Sequence, residues 1–393
     1  MDKKIRLGVM GLIRGEFALR AAKLMTDDVV LSAVCETSEK QIENVKHLFA
    51  PETKVFSDFD EFLASGLDAI VLCNYFHEHV EYAIKAMEAG VAVMSELMAA
   101  PTLGGLIDLV EAVERTNGKY MLGANCQYFK AVTAIKKKLE SGEYGDLIYA
   151  DAEYVHTHEP IPVEKRKKID LHNLHWRQTM PPCYYNMHSL GPLMFIAESE
   201  PRKVIGKAVK YERDTAVNNT PKTFAITEMS DGTVFNTTGV VGCGTTSKWF
   251  RLGCSNGTLE TERYDWREEV LLEAGWSEGE GYKRSFPDWC LSDEDKAKYN
   301  SPGFGSVGHG GIDFILMVEF IKYVKGEKEI FFDVYRAASL TAAAILTWYS
   351  ILDGSKEMEI PDFRDKAARE VFRGDYRTPI AKDAEDRTLP CRI

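Results

Sequence analysis

The 393-residue sequence predicts an α/β protein: an N-terminal doubly wound parallel sheet of the Rossmann type, then a C-terminal α+β domain with an open, largely antiparallel sheet. Three observations predict it. The apolar run Ile5–Met10 leads through a glycine turn into a helical pattern, as a βαβ unit begins. Strand patterns then alternate with helical ones as far as Leu122, which marks parallel strands joined by crossover helices. From about Leu147 strand follows strand with little helix between. The length suits two domains, and the change of pattern divides them as 1–123 and 124–393, with the last helices packing back on the first.

The opening turn is Gly11-Leu12-Ile13-Arg14-Gly15, followed by the helical spacing of Phe17 to Met25. In such a turn the N–H groups at the helix N-terminus hold a pyrophosphate. Ile13 stands where a second close-approach glycine is expected, and Gly11 to Gly15 is one residue short of the usual interval. The second strand, Val29–Val34, ends at Cys35-Glu36, 21 residues after Gly15. An acid there accepts from ribose hydroxyls and repels a 2′-phosphate, so NAD is favoured over NADP.

The alternation continues with a helix over Glu39–Phe49, a strand at Val55-Phe56, a helix over Phe59–Leu63, a strand over Asp68–Cys73 and a helix over His79–Ala89. A strand at Val91–Met94, a helix over Leu103–Thr116 and a strand at Tyr120–Leu122 complete it. Ligands of such sheets lie at the carboxyl ends of the strands, so Gly11, Glu36, Asn74, Glu96 and Asn125 should share one rim.

In the second part, strands are predicted at Leu147–Tyr154, Arg202–Val209, Thr223–Met229 and Val234–Val241, with a hairpin turn at Asp231-Gly232. Amphipathic helices are predicted near Ile312–Lys325 and Val334–Leu352. The stretch 278–308, rich in Gly, Pro, Trp and charge, reads as a long loop serving as a lid or a subunit contact.

Composition narrows the function. A formal net charge of -12 argues against general affinity for nucleic acid or anionic membrane. No stretch is apolar over the length a membrane span needs. The strand-like Ile5–Met10 follows Met1-Asp2-Lys3-Lys4 directly, leaving no room for a signal peptide, so a cytoplasmic protein is expected. The eight cysteines form no CxxC pair and read as buried free thiols.

The candidate chemistry lies in two pairs. Residues two apart on a strand face one side, so Tyr154 and His156 project together, with His158 next in line. Tyr185 and His188, three apart before an apolar segment, share a face if helical. Tyr and His exchange protons near neutral pH once neighbours tune them. Beside a nicotinamide domain, that suggests redox or proton transfer on a polyol. His156, His158, His172, His175 and His188 also raise the question of a metal, but no cysteine or HExxH pattern joins them and none is expected.

Asp68-Ala69-Ile70-Val71-Leu72, His77-Glu78-His79, Ala83 to Gly90 and Val91 to Glu96 resemble the Gfo/Idh/MocA oxidoreductase family. The family's Glu-Lys-Pro reads Glu96-Leu97-Met98 here, and leucine cannot relay a proton as the family's lysine does. From Glu96 onward the chain more closely resembles the NAD-dependent glycosidases of glycoside hydrolase family 109. The marks are Gly123 to Tyr128, Glu153-Tyr154-Val155-His156, Trp176-Arg177, Tyr185 to Pro192, Gly308-His309-Gly310-Gly311-Ile312-Asp313-Phe314 and Ile360-Pro361-Asp362-Phe363.

The resemblance implies NAD as cofactor, a carbohydrate substrate and a homodimer or homotetramer formed through the open sheet. It implies a redox-neutral cycle on a hexopyranoside: C3 oxidation, C2 deprotonation, elimination at C1, water addition and re-reduction. Tyr154 or His156 would be the C2 base, His188 with Tyr185 would serve the C3 hydroxyl, and Glu96 would orient hydroxyls or activate water. Gly11, Ile13, Arg14, Gly15, Glu36, Asn74, His79, Glu96 and Asn125 are the candidate cofactor residues. Trp176 and Arg177 join them or line the sugar pocket. The alternatives are a net sugar or inositol dehydrogenase, including one that forms a 3-keto glycoside, and an NAD-binding sensor without turnover.

Overall fold

The computed structural model describes residues 3–156, 179–211, 220–241, 244–263, 269–275, 281–299, 303–380, 388–391 and 393. In chain order the first elements are β1 Ile5–Met10, α1 Leu12–Leu24, β2 Val29–Cys35, α2 Glu39–Val45, β3 Lys54–Phe56, α3 Phe59–Leu63, β4 Ala69–Leu72, α4 His79–Glu88, β5 Ala92–Ser95, α5 Leu103–Thr116 and β6 Tyr120–Leu122. They are followed by α6 Lys130–Glu140, β7 Leu147–His156, α7 Met187–Ala197, β8 Pro201–Val209, β9 Lys222–Met229, β10 Val234–Val241, β11 Ser247–Cys254, β12 Gly257–Thr261, β13 Leu271–Gly275 and β14 Lys283–Ser285. The last are α8 Asp293–Lys298, α9 Ile312–Lys325, α10 Val334–Leu352, β15 Met358–Glu359 and α11 Lys366–Glu370.

Two compact units form. One comprises Met1–Ala100, Gly105–Tyr128 and Leu291–Ala338; the other comprises Pro101–Gly104, Phe129–Cys290 and Ser339–Ile393.

The first unit holds six parallel strands in the order β3-β2-β1-β4-β5-β6. The order reverses between β1 and β4, which creates the crevice where such sheets bind ligands. All four residues of β4 are buried, as expected of a strand covered on both faces. Helix α1 begins at Leu12, a turn earlier than the spacing from Phe17 indicates, because Gly11 at φ +81° turns the chain straight into it. The pattern read as one helix over Glu39–Phe49 ends as α2 at Val45 and continues as a 3₁₀ turn, Lys46–Leu48. Ser38 and Asp58 cap α2 and α3 by accepting from Gln41 N and Glu61 N.

In the same unit α9 packs on α1, and the segment before it is held by a buried carboxylate. Asp28 accepts from Lys298 Nζ at 2.8 Å, Lys325 Nζ at 2.5 Å and Tyr299 Oη at 2.6 Å. Burial pushes the Asp28 carboxyl up, but these three donors outweigh it and bring it down to about 2. Among its described residues, the stretch read as a long loop over 278–308 carries regular structure, β14 and the short helix α8, whose N-cap Ser292 accepts from Asp295 N.

The second unit is built on a nine-stranded sheet, β14-β13-β12-β11-β7-β10-β9-β8-β15. β7 and β10 are parallel and the other pairings antiparallel. Alternation is clean on β9, where Thr223, Ala225, Thr227 and Met229 are buried and Phe224, Ile226 and Glu228 exposed. The β9–β10 hairpin turns where expected, with Gly232 at φ +85° and Asp231 Oδ1 accepting from Thr233 N and Oγ1.

Candidate cofactor rim and active site

The first unit brings most of the sequence-read cofactor residues to the ends of its strands. A Cβ on Gly11 would lie 2.6 Å from Asn74 N and from the Cys73 carbonyl, and one on Gly15 would lie 2.7 Å from Val9 Cγ1. These are the close turn and the close helix–strand packing that a dinucleotide loop needs. Ile13 is 78% exposed, so its side chain takes no part in packing the turn. Glu36 Oε2 accepts from Leu12 N at 2.9 Å, while Oε1 accepts from Thr37 N and Ser38 N. A carboxylate has about four acceptor positions, so Glu36 braces the loop and still has one for a ribose hydroxyl. The turn, the helix N-terminus and the acid fit NAD.

Arg14 is the hub of the rim. Its Nε donates to Glu96 Oε1 at 2.7 Å, and its Nη1 and Nη2 donate to Asp313 at 2.6 and 3.2 Å. Asp313, whose side chain is fully buried, also accepts from Asn125 Nδ2 at 2.7 Å and pairs with His309 Nδ1 at 2.9 Å. Burial would raise the Asp313 carboxyl, but His309 and Arg14 overcome it and hold it well below the carboxylate range. Burial likewise opposes the Arg14 charge, and Glu96 and Asp313 more than restore it. Arg14, Glu96 and Asn125, all read from sequence as candidate cofactor residues, are thus joined in one hydrogen-bonded cluster through Asp313.

His79 is 1% exposed. Its Nε2 lies 3.2 Å from the Asn74 carbonyl, and its Nδ1 lies 3.0 Å from Ser95 Oγ and 3.1 Å from the Met98 carbonyl. Burial lowers its pKa to about 4, so the ring is neutral at pH 7. Each nitrogen faces a backbone carbonyl, Nε2 that of Asn74 and Nδ1 that of Met98, and the neutral ring donates its one proton to one of them. His79 therefore positions the Asn74 turn against β5. Asn74 itself donates to Glu78 Oε2 at 3.1 Å.

The second unit gathers the two Tyr and His pairs into one cluster. β7 lies at the middle of the nine-stranded sheet and carries Tyr154 and His156 on one face, ring centroids 6.1 Å apart. Tyr185 belongs to the 3₁₀ turn Pro182–Asn186, and His188 lies in the first turn of α7. The Tyr154 ring stacks on His188 at 4.4 Å and on Tyr185 at 5.9 Å, and His156 lies 5.6 Å from Tyr185. Tyr154 and Tyr185 are buried, and the two His are half-buried.

Local sequence explains the meeting. Gly239 of β10 sits opposite Tyr154, and a Cβ there would come within 2.1 Å of Asn186 Oδ1 and 2.4 Å of the Pro182 carbonyl, so only glycine lets the turn lie on the sheet. Ser189 Oγ then donates to the Thr238 carbonyl at 3.1 Å and pins α7 to β10. Pro192 inside α7 has no N–H to return to the His188 carbonyl.

Trp176 and Arg177 lie outside the described residues, as do His158, His172 and His175. Among the described residues no group of three His, Cys, Asp or Glu side chains could hold a metal, and no helix is long and apolar enough to cross a membrane. The seven described cysteines are free thiols, six of them buried.

Sequence reasoning missed Asp313 and Lys248 as site residues. Asp313 was read only as part of the motif Gly308 to Phe314, with no role of its own, although it is a carboxylate inside the apolar run Ile312–Val318. Lys248 is a buried lysine on β11 opposite Tyr154, and its strand was not read.

Similarity to known proteins covers most of the chain. Residues 5–124 match the family model described as oxidoreductase family, NAD-binding Rossmann fold, and residues 249–369 match that described as glycosyl hydrolase 109, C-terminal domain. A glycosyl hydrolase family 109 protein of Shewanella putrefaciens is 22% identical over 91% of this chain and 85% of its own length. One from Stenotrophomonas maltophilia is 23% identical over 95% and 93%. Among solved structures, a levoglucosan dehydrogenase in complex with NADH and L-sorbose aligns with a TM-score of 0.76 at 15% identity, covering 92% of this chain and all of that one. A UDP-N-acetylglucosamine 3-dehydrogenase from Acidithiobacillus ferrooxidans aligns with a TM-score of 0.65 at 16% identity, covering 90% and 100%.

Proposed function

We propose, for a chain that belongs to the Gfo/Idh/MocA oxidoreductases and carries the glycosyl hydrolase 109 C-terminal domain, a redox-neutral NAD-dependent glycoside hydrolase activity on a hexopyranoside. The four-ring cluster of Tyr154, His156, Tyr185 and His188 carries the reading. A plain hydride transfer needs one proton relay, whereas this chain, in which the family's lysine reads Leu97, offers a cluster of two Tyr and two His. The relatives named glycosyl hydrolase family 109 proteins support it.

NAD, which the Gly11 turn and Glu36 would hold, would supply the hydride acceptor and donor for the C3 carbon. His188, with Tyr185, takes the proton of the C3 hydroxyl as the ketone forms and gives it back at the end. The ketone acidifies the C2 proton, which Tyr154 or His156 removes. The C2–H electron pair becomes the C1–C2 double bond, and the C1–O pair departs with the aglycone. Water then adds at C1 as the same base returns a proton to C2. Glu96, held by Arg14, fixes the rim that seats the cofactor. The exposed apolar row of Ile205, Val209, Phe224, Ile226, Val234 and Tyr149 on the nine-stranded sheet suits burial against a second copy, in a homodimer or homotetramer.

A net dehydrogenase is the second reading, favoured by the sugar dehydrogenases among similar structures. Incubation with catalytic NAD and aryl hexopyranosides in deuterated water separates the two. Aglycone release with deuterium at C2 and no net absorbance at 340 nm is expected. NADH rising without aglycone release would make the enzyme a dehydrogenase.

A further inference from the structure

Lys248 is only 7% exposed, and β11 sets it directly opposite Tyr154 of β7. Its ammonium lies 5.5 Å from the centre of the Tyr154 ring and 4.4 Å from that of Phe129. Tyr154 thus has Lys248 near its ring as well as the stacked ring of His188 at 4.4 Å. A buried ammonium acts through a lower dielectric than one in water, so its charge is felt strongly by the groups packed against it.

A carboxylate that feels Lys248 is Glu269, at the head of β13. Burial pushes the Glu269 carboxyl up, and the Lys130 amide, which donates to its Oε2, together with the charges of Lys130 and Lys248, only partly offsets this. The titratable groups around Lys248 and its neighbours are Tyr154 and Glu269, with His156 on β7, Tyr185 in the turn before α7 and His188 in its first turn beside Tyr154, and Lys130 beside Glu269. Among them Tyr154 is its direct cross-strand partner.

We propose that Lys248 is a positioning residue that stabilises the ionised phenol of Tyr154, making Tyr154 the base of the C2 step. A cation beside a tyrosine ring attracts the neutral ring weakly and the phenolate strongly, so it favours loss of the phenol proton. Burial of Tyr154 favours its neutral form, and the Coulomb attraction of the nearby ammonium opposes this in favour of the phenolate. The chain thereby has a lysine charge beside its candidate base, although its Glu-Leu-Met segment lacks one. The role of the tyrosine rests on the glycosidase reading, whereas the Lys248–Tyr154 coupling does not.

The test labels the 17 tyrosines with ¹³C at the ring carbon bearing the hydroxyl, assigns Tyr154 by the signal lost in Tyr154→Phe, and titrates it by NMR. In the native protein Tyr154 is expected to titrate below the ordinary value of about 10, about one pH unit or more below its position in Lys248→Met, with Lys248→Arg close to native. Equal titration in native protein and Lys248→Met, or a native value at or above the ordinary one, overturns the proposal. If Lys248→Met fails to fold by circular dichroism, Lys248→Gln takes its place and the native value decides alone if both fail.

Deuterium exchange at C2 of an aryl hexopyranoside supplies the second readout. Lys248→Met should slow it roughly tenfold or more near pH 7 and recover towards native rates as pH rises. A loss equal at all pH values marks a merely structural lysine and overturns the proposal. A Tyr154 shift accompanied by net NADH and no aglycone release would sink the glycosidase reading while leaving the coupling standing.

Discussion

The cofactor rim and the ring cluster are made of different materials. The candidate rim in the first unit is made of charges that cancel, Arg14 against Glu96 and Asp313, and elsewhere in the unit Asp28 is held the same way by Lys298 and Lys325. The candidate site in the second unit is made of rings packed 4.4 to 6.1 Å apart, whose protons can be exchanged. Paired charges fix geometry and resist titration, which suits a seat for a cofactor that must stay put. Tyrosine and histidine, with pKa values nearer neutrality, suit a place where protons move.

Substitutions can break that contrast. His188→Ala should reduce turnover by roughly 10²–10⁴-fold while an NAD titration stays unchanged; undiminished activity would remove His188 from the chemistry. Arg14→Met should act in the opposite way, leaving Asp313 buried without its cation and costing about 3 kcal/mol of stability. Chemical denaturation measures this, and a stable variant would show the pairing to be dispensable.

Asp28→Asn sharpens the contrast with pH. The folded-state carboxyl, at about 2, lies below its unfolded value. Its contribution is therefore complete above pH ~4 and lost as pH falls through ~2. The substitution should cost ~2 kcal/mol at neutral pH, and the native and variant denaturation midpoints should converge across that window. The smallest effect expected is from Ser189→Ala, which removes one buried hydrogen bond and about 1 kcal/mol. Its turnover should fall slightly, since the turn carrying Tyr185 loses only one of its anchors.

The first unit was more legible than the second for a physical reason. Parallel strands covered on both faces, such as Ala69–Leu72, are continuous apolar runs, and crossover helices separate them cleanly. β11 mixes Lys248 and Arg251 with Trp249, Phe250 and Leu252 because its two faces meet different surroundings, so neither period stands out. α8, only six residues long, has no apolar stripe, and its one signal was Ser292 followed by three acids. In the candidate site, Tyr154 with His156 and Tyr185 with His188 could be paired by spacing, because each pair is local. The Arg14–Asp313 and Lys248–Tyr154 partnerships join residues far apart in the chain, which spacing cannot express.

The first unit is written in the chain in two instalments. Its parallel sheet ends by Tyr128, but the helix that packs on α1 and the lysines that hold Asp28 belong to Leu291–Ala338. During synthesis the whole of residues 129–290 must emerge first, which at ribosomal speed takes roughly ten to thirty seconds. For that interval α1 waits without its neighbour and Asp28 without its donors. A nascent chain stalled before Leu291 therefore carries an open flank on its nucleotide domain, the stage at which a chaperone has most to hold.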